Sequence, residues 1–197
     1  MDANDKYACA ELIQAWGLYR DQGKWPQLLA TFVPEGQISV SWFSGGFREF
    51  VAHCRQSFEA GQRSKHQIFP SCVRIARERA LAETSIVILV RQTISGVLAD
   101  PTSYARFLDR LERRDGRWAI VERTAVYERD RFDRVEPSQS FHKLFAVSEL
   151  SAYPEAYRYM AARLKSAGRA LAPVVHYDGA PHTAQLCARY EAWLDDG

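Results

Sequence analysis

Long hydrophobic runs are missing from this chain of 197 residues. Its longest aliphatic stretch, IVILV at 86–90, is far too short to cross a bilayer. An excess of one charge is missing as well, since 26 lysines and arginines stand against 24 aspartates and glutamates. Because no basic block is present, we expect neither a nucleic acid nor a membrane as partner. The N-terminal stretch MDANDKYACAEL does not have the pattern of a signal peptide, and we expect a cytoplasmic protein.

Motifs for metals, nucleotides and covalent nucleophiles are absent too. The cysteines lack C-x-x-C spacing and are predicted to be reduced, mostly buried thiols: Cys9, Cys54, Cys72 and Cys187. The histidines never occur as H-x-H or H-x-x-x-H, so no metal site is predicted: His53, His66, His142, His176 and His182. There is no G-x-S-x-G, Walker or G-x-G-x-x-G motif either. We therefore expect no cofactor, which leaves acid–base chemistry by ordinary side chains.

Regular patterns are present in the first third of the chain. Apolar residues at helical spacing predict a helix over 5–20, and WPQLLATF predicts a second, shorter one over 25–32. The alternation in QISVSWF predicts a strand at 37–43. FREFVAHCRQSFEAG, at 47–61, carries an apolar stripe that predicts a third helix, which its final glycine ends.

The middle of the chain has the patterns of a sheet. We predict strands near 66–76, 80–95, 102–113 and 117–128. RRDG, at 113–116, predicts a tight hairpin, because Asp-Gly supplies the positive φ angles that such a turn needs. The order of elements is therefore helix, helix, strand, helix and antiparallel meander.

The remaining sequence differs in character. Apolar stripes with a proline near the start predict helices over 154–168 and 181–194. The stretch between them, APVVHYDGAP, is predicted to be a loop.

Three polar residues stand out as candidates for chemistry. Asp21 follows the first helix, at an end where a negative charge is disfavoured, but it is equally compatible with a solvated helix end. His66 begins a strand, where most histidines are structural or simply exposed. Arg123 falls on a strand face that is otherwise apolar or aromatic and whose opposite face is largely apolar, so it either points into an interior or snorkels at a strand end.

Three segments carry a resemblance to a known family. YRDQGKWPQLLATF at 19–32, SKHQI at 64–68 and LERRDGRWAIVER at 111–123 resemble, in the same order, motifs of the SnoaL-like branch of the nuclear transport factor 2-like superfamily. The resemblance implies an α+β fold, a cone-shaped barrel whose strongly curved, mostly antiparallel sheet wraps on N-terminal helices. It implies a cone at 1–137 and a C-terminal helical extension at 138–197.

The same resemblance implies a site. The chain is similar to lyases of the scytalone dehydratase, hexachlorocyclohexane dehydrochlorinase and bile-acid dehydratase type, which use an Asp–His dyad. Carried over by position, the catalytic residues are Asp21, His66 and Arg123. This chain departs from the pattern in having Trp16 at the place of a helper Lys or Tyr and Arg20 before the aspartate. No second pocket histidine lies on the strand at 80–95.

The implied function is a cofactor-independent lyase that removes water, halide or formaldehyde from a hydrophobic hydroxylated aromatic or polycyclic substrate. An isomerase or polyketide cyclase, and a non-catalytic small-molecule-binding protein of the same fold, remain alternatives. A homodimer or higher homo-oligomer formed through the outer face of the sheet would fit the family. The predicted pocket walls, which as aromatics fit a plain core equally well, are Trp16, Tyr19, Trp42, Phe69, Tyr104 and Tyr127.

Overall fold

The structure of the protein, a computed structural model, describes residues 3–137, 139–141 and 144–196. The helices are α1 (Ala3–Gln22), α2 (Trp25–Leu29), α3 (Phe47–Glu59), α4 (Val147–Leu150), α5 (Arg158–Ser166) and α6 (Pro181–Asp195). The strands are β1 (Phe32–Val40), β2 (Phe43–Gly46), β3 (Ser64–Ile68), β4 (Cys72–Ala76), β5 (Arg79–Val90), β6 (Gln92–Ile94), β7 (Val97–Arg114), β8 (Arg117–Arg134) and β9 (His176–Tyr177). The α+β class is the one predicted from the sequence. The order helix, helix, strand, helix and meander is also as predicted through β8, except that β2, β4 and β6 were not predicted as separate strands.

The strands form a single sheet that does not close on itself. Its path is β2-β1-β8-β7-β5-β3, with β4 paired to β5, β6 to β7 and β9 to β8. All pairings are antiparallel except β1 with β8 and β8 with β9. The long β7–β8 ladder shifts register after Tyr104 and after Arg110, and such bulges bend a sheet and increase its twist. The sheet therefore curves around the N-terminal helices.

Local chemistry explains the predicted turn and most of the differences from the prediction. Asp115 and Gly116 have φ angles of 51° and 76°, as the hairpin between β7 and β8 requires. The predicted strand at 66–76 is instead divided into β3 and β4, because Pro70 between them has no N–H to donate to a ladder. The predicted strand at 37–43 was misplaced, since β1 starts earlier and Trp42 lies in the turn to β2.

The last third of the chain packs on both faces of the sheet. We call the face toward α1 and α3 the inner face and the opposite one the outer face. Met160 and Leu164 of α5 join the main core on the inner side. Leu186, Tyr190 and Leu194 of α6 form a second core with outer-face residues of β5, β7 and β8.

The segment between α5 and α6 was predicted to be a loop, which is wrong at two residues. His176 and Tyr177 form β9 and pair in parallel with Val126 and Tyr127 of β8. This pairing satisfies backbone groups that a loop would leave without partners.

None of the helices described is long and apolar enough to span a membrane. All four cysteines are free thiols: Cys9 and Cys54 are buried, Cys187 is partly buried and Cys72 is exposed.

Candidate active site

A cavity of 360 Å³ opens on the inner side of the sheet. Trp16 of α1, Phe50 of α3 and Phe107 of β7 form part of its apolar wall, and Met160 of α5 closes on it from the extension. His66, on β3, also lines the cavity. The α5 helix therefore contributes to the pocket, whereas α6 lies on the other side of the sheet.

The Asp21 carboxylate holds His66 by two hydrogen bonds. Oδ1 lies 2.6 Å from Nδ1 of the His66 ring, and Oδ2 accepts the His66 backbone N–H at 2.7 Å. Both side chains are nearly inaccessible, with 5% of Asp21 and 9% of His66 exposed. The two bonds fix the carboxylate relative to both the backbone and the ring, so the imidazole orientation is determined by α1.

Close packing between α1 and β3 makes this pairing possible. A Cβ added at Gly17 would lie 2.7 Å from Cγ1 of Ile68, so only glycine permits the observed approach without displacement. Asp21 lies one helical turn after Gly17, and α1 ends where Gly23 adopts a φ of 68°. The C-terminal turn of the helix thus places the carboxylate against His66 in the middle of β3.

The electrostatic surroundings keep His66 neutral at physiological pH. Burial lowers the pKa of His66 below its ordinary value of 6.5, and Asp21 opposes this shift only in part. Arg20 and Arg123 lower the pKa of His66 further through their positive charge. With Asp21 accepting the proton on Nδ1, the neutral ring has Nε2 as the nitrogen that can take a proton from a molecule in the cavity.

Arg123 occupies the interior but does not line the cavity, which corrects the prediction. Its side chain is fully buried, and its Nε and Nη2 donate to the two oxygens of Asp109 at 2.7 and 2.8 Å. Asp109 is the direct cross-strand partner of Arg123 in the β7–β8 ladder. The guanidinium lies 4.5 Å from the centre of the Trp16 ring and 4.1 Å from that of Phe107, and both of these aromatic residues line the cavity.

Half of the predicted aromatic walls belong to the cavity. Trp16, Trp42 and Tyr127 line it, and the Tyr127 hydroxyl accepts the Ser41 backbone N–H at 3.1 Å. The predicted wall residues outside the lining are Tyr19, Phe69 and Tyr104.

For each of these three residues, the local structure explains why it does not line the cavity. Phe69 follows the end of β3 and is 46% exposed. Tyr104 is the strand neighbour of the lining residue Ser103 and faces the other side, where Arg129 lies over its ring. Tyr19 packs against the core beside the stripe formed by Trp16 and Arg20.

Sequence reasoning did not predict a set of basic residues on the cavity wall, and it noted one of them, Arg20, only as a departure from the family pattern. The cavity-lining arginines are Arg20, Arg63, Arg91, Arg163 and Arg169. They come from distant parts of the chain, so no local pattern marked them. Cys54 also lines the cavity, but burial raises the pKa of its thiol to about 11, which keeps it protonated at neutral pH.

Metal ligands are not grouped in this region. Within residues 3–137, 139–141 and 144–196, no three His, Cys, Asp or Glu side chains come close enough to hold a metal ion. Of the histidines considered from the sequence, His142 lies outside the described residues.

The sequence matches a known family model and several curated proteins. The model of the SnoaL-like domain matches residues 1–124. Pea pathogenicity protein 2 of Fusarium vanettenii is 27% identical over 165 residues, which cover 81% of this chain and 69% of that protein. An uncharacterized protein of Emericella nidulans is 28% identical over 157 residues, covering 75% of this chain and 65% of the relative. The chain thus spans about two thirds of the length of these relatives.

Solved structures with the same fold include enzymes. A hexachlorocyclohexane dehydrochlorinase, LinA, superposes with a TM-score of 0.56 at 14% identity, covering 68% of this chain and 92% of LinA. A scytalone dehydratase candidate from Novosphingobium aromaticivorans has a TM-score of 0.54 at 16% identity, covering 68% of this chain and 89% of the other. At these identities the similarity shows a shared fold.

Proposed function

We propose that this chain, which belongs to the SnoaL-like domain family, is a cofactor-independent lyase in which His66 is the general base. It would eliminate a small group, such as water, halide or formaldehyde, from a hydrophobic ring compound. One observation carries the proposal: a histidine on a cavity wall has one ring nitrogen held by a buried carboxylate at 2.6 Å.

The geometry suits proton abstraction. His66 is neutral because burial lowers its pKa, and its tautomer is set by Asp21, so Nε2 carries a free lone pair. A positioned base of this kind accelerates proton transfer by about 10²–10⁴-fold. The rest of the acceleration has to come from positioning the substrate in the cavity.

For a β-hydroxy ketone the proposed step is a simple elimination. Nε2 takes the proton on the carbon next to the carbonyl, and the C–H electron pair forms the new C=C bond. The C–O bond breaks, its electron pair leaves with hydroxide, and the imidazolium returns its proton to give water. No group is oxidised or reduced. Positive charge on the cavity wall would stabilise the negative charge that develops on oxygen.

Arg123 acts in this proposal as a positioning residue. It contacts the rings of Trp16 and Phe107, pairs with Asp109, and lowers the pKa of His66 by its charge. It would therefore maintain the shape of the wall and the neutral state of the base without touching the substrate.

The proposal is tested with 3-hydroxy-1-tetralone and related cyclic β-hydroxy ketones and acids fused to an aromatic ring. Loss of water converts 3-hydroxy-1-tetralone to fluorescent 1-naphthol, which mass spectrometry distinguishes from any isomer. We expect His66→Asn to abolish turnover while the circular dichroism spectrum is retained. His53→Asn, on the exposed side of α3, is the matched control and should keep full activity.

Turnover that survives in folded His66→Asn protein would overturn the assignment of the base. Products of unchanged mass would instead identify an isomerase or cyclase. The expectation of a homo-oligomer remains a proposal as well, and α6 already covers part of the outer face through which such a dimer was predicted to form.

A further inference from the structure

The cavity wall has an unusual balance of charge. Five arginines line it, and no aspartate or glutamate does so within the part of the chain that the structure describes. Asp21 touches the wall only through His66, and Asp109 lies behind it with Arg123. A cavity for a purely neutral hydrophobic compound would not need this excess of positive charge.

Two of the five arginines are accounted for by the protein itself. Arg91 is exposed and forms a bidentate pair with Asp100 at 2.8 and 2.7 Å. Arg63 is exposed, donates to the carbonyl oxygens of Phe58 and Gln62, and stacks on the Phe58 ring. Solvent and these partners satisfy both guanidinium groups.

Arg163 and Arg169, at the end of α5 and just beyond it, are different. Arg163 is partly buried, and among the described residues its one hydrogen bond to a side chain is to the neutral Gln92 amide, whose Oε1 accepts from Nη1 at 3.0 Å. Its Nε has no partner among the described residues. Arg169 lies over the Trp42 ring at 4.9 Å and has no carboxylate partner in the described structure.

These two cations also repel each other. Burial and the charge of Arg169 both lower the pKa of Arg163, and the only opposing contribution comes from Tyr127. A guanidinium nevertheless stays charged in proteins. The Arg163 side chain is therefore a positive charge that no neighbouring negative charge among the described residues compensates. A buried charge without a counter-ion is strongly unfavourable, and an anionic ligand would remove that cost.

The remaining wall is apolar. Trp42, Phe50, Ile88 and Met160 contribute large hydrophobic surfaces to the same cavity. The planar fork of an arginine matches a carboxylate or a phosphate, with which it forms two parallel hydrogen bonds. The cavity thus combines a site for an apolar ring with a site for an anion.

We propose that the substrate is an apolar ring compound bearing an anionic group, a carboxylate or a phosphate, which Arg163 and Arg169 bind while His66 faces the ring. That this compound is a substrate rests on the proposed lyase function, whereas the anion-binding site does not. The anionic group anchors the ring at the α5 end of the cavity, and the C-terminal extension is therefore part of the specificity of the site.

Three chemically matched probes test the proposal by isothermal titration calorimetry at neutral pH: 2-naphthoate, 2-naphthyl phosphate and uncharged 2-naphthol. We expect at least one anion to bind about tenfold or more tightly than 2-naphthol, as expected for a charge-assisted hydrogen bond. Which anion binds more tightly identifies the carboxylate or the phosphate as the group recognised. Equal affinity for all three probes would overturn the proposal.

Variants locate the anion site. Arg163→Met and Arg169→Met should each lower the affinity for the preferred anion about tenfold and leave 2-naphthol binding within twofold. Arg189→Met removes the same charge from the outer face, where Arg189 pairs with Glu122, and should change neither affinity. An anion preference that survives in both Arg163→Met and Arg169→Met would also overturn the proposal.

Two further measurements keep the outcome clear. If an arginine variant fails to fold, the salt dependence of the wild-type protein replaces it: anion binding should weaken as salt rises and 2-naphthol binding should not. His66→Asn should retain the anion preference, since binding does not require proton transfer. If the protein prefers the anions but turns over no substrate, the anion site stands and the lyase proposal is wrong. If it turns over neutral compounds without an anion preference, the lyase proposal stands and the anion site is wrong.

Discussion

Asp21 binds both the side chain and the backbone of His66, at 2.6 Å through Nδ1 and 2.7 Å through the peptide N–H. The residues are separated by 45 positions in sequence. The contact joins the last turn of α1 to the middle of a short strand, so the position of the imidazole depends on how α1 packs against β3.

Asp21→Asn should reduce kcat about 10²–10⁴-fold, because an amide cannot hold the same tautomer of His66. KM should change little, since Asp21 does not line the cavity. Steady-state kinetics on the elimination substrate measures both. Lys65→Ala is the control: its Nζ lies 3.8 Å from the same carboxylate, but the side chain is exposed and should contribute less than about twofold. A Lys65→Ala loss equal to that of Asp21→Asn would contradict the assigned role.

The value of kcat/KM should rise with pH and reach its plateau at a lower pH than for an ordinary histidine. Burial lowers the pKa of His66, so the acidic limb should lie below the ordinary histidine value of 6.5. Asp21 raises the pKa of His66, so Asp21→Asn should move the limb to still lower pH. Because the pKa of His66 is depressed in the folded state, its contribution to stability is present above 6.5 and is lost as pH falls through the folded value. An acidic limb above 6.5 would contradict the predicted environment.

Asp130→Asn should change how stability depends on pH. Burial raises the pKa of Asp130 from 3.8 to about 6, while its Oδ2 accepts the Met160 N–H at the start of α5. A raised carboxyl pKa gives stability that is present below 3.8 and lost as pH rises through about 6. Asparagine keeps a hydrogen-bond acceptor without the charge. In urea unfolding, the free energy of unfolding of the variant should therefore rise relative to that of the wild type as pH increases from 3.8 to about 6. A difference independent of pH would contradict this.

The buried pair of Arg123 and Asp109 should show strong coupling. Arg123→Met alone leaves a carboxylate buried without its partner and should cost about 3–5 kcal/mol of unfolding free energy. The double variant with Asp109→Leu should recover most of that loss and retain most of kcat, because neither side chain lines the cavity. Denaturant unfolding and kinetics on the same proteins test this. A folded double variant with kcat reduced as far as in His66→Asn would place Arg123 in contact with the substrate.

Gly17→Ala should weaken the site through packing. The new Cβ would lie 2.7 Å from Ile68 Cγ1, so α1 and β3 must separate, and overpacking of this kind costs about 1–3 kcal/mol. Removing the obstructing atom with Ile68→Ala in the Gly17→Ala background should restore activity. Gly46→Ala is the matched control, since nothing lies within 4 Å of its added Cβ. Equal losses in the two alanine variants would exclude the packing explanation.

Local patterns in the sequence predicted much of the fold. Helical spacing predicted α1, α3 and α6, and the Asp-Gly pair predicted the hairpin between β7 and β8. These features depend on contacts between residues close in the chain, which is why periodicity and turn chemistry reveal them. Strand ends were less predictable, because β7 and β8 extend each other by pairing well beyond their apolar cores.

The candidate site was also predictable only in part. Asp21 and His66 were predicted as a pair through the resemblance of three ordered motifs to a known family, and their side chains are in contact. Arg123 was predicted to face the interior, but its partner Asp109 is set by the β7–β8 register, which the sequence did not show.

The sequence by itself determined the α+β class and most of the succession of helices and strands, because these are encoded in short local patterns. The pairing of Asp21 with His66 was implied only by the resemblance of three ordered motifs to a known family. Only the tertiary structure decided which charges meet in the cavity. Arg20 and Arg163 are contributed by opposite ends of the chain, and they share a wall because α5 folds back onto the inner face where α1 lies. Such a site arises from long-range packing, whose geometry no local spacing records.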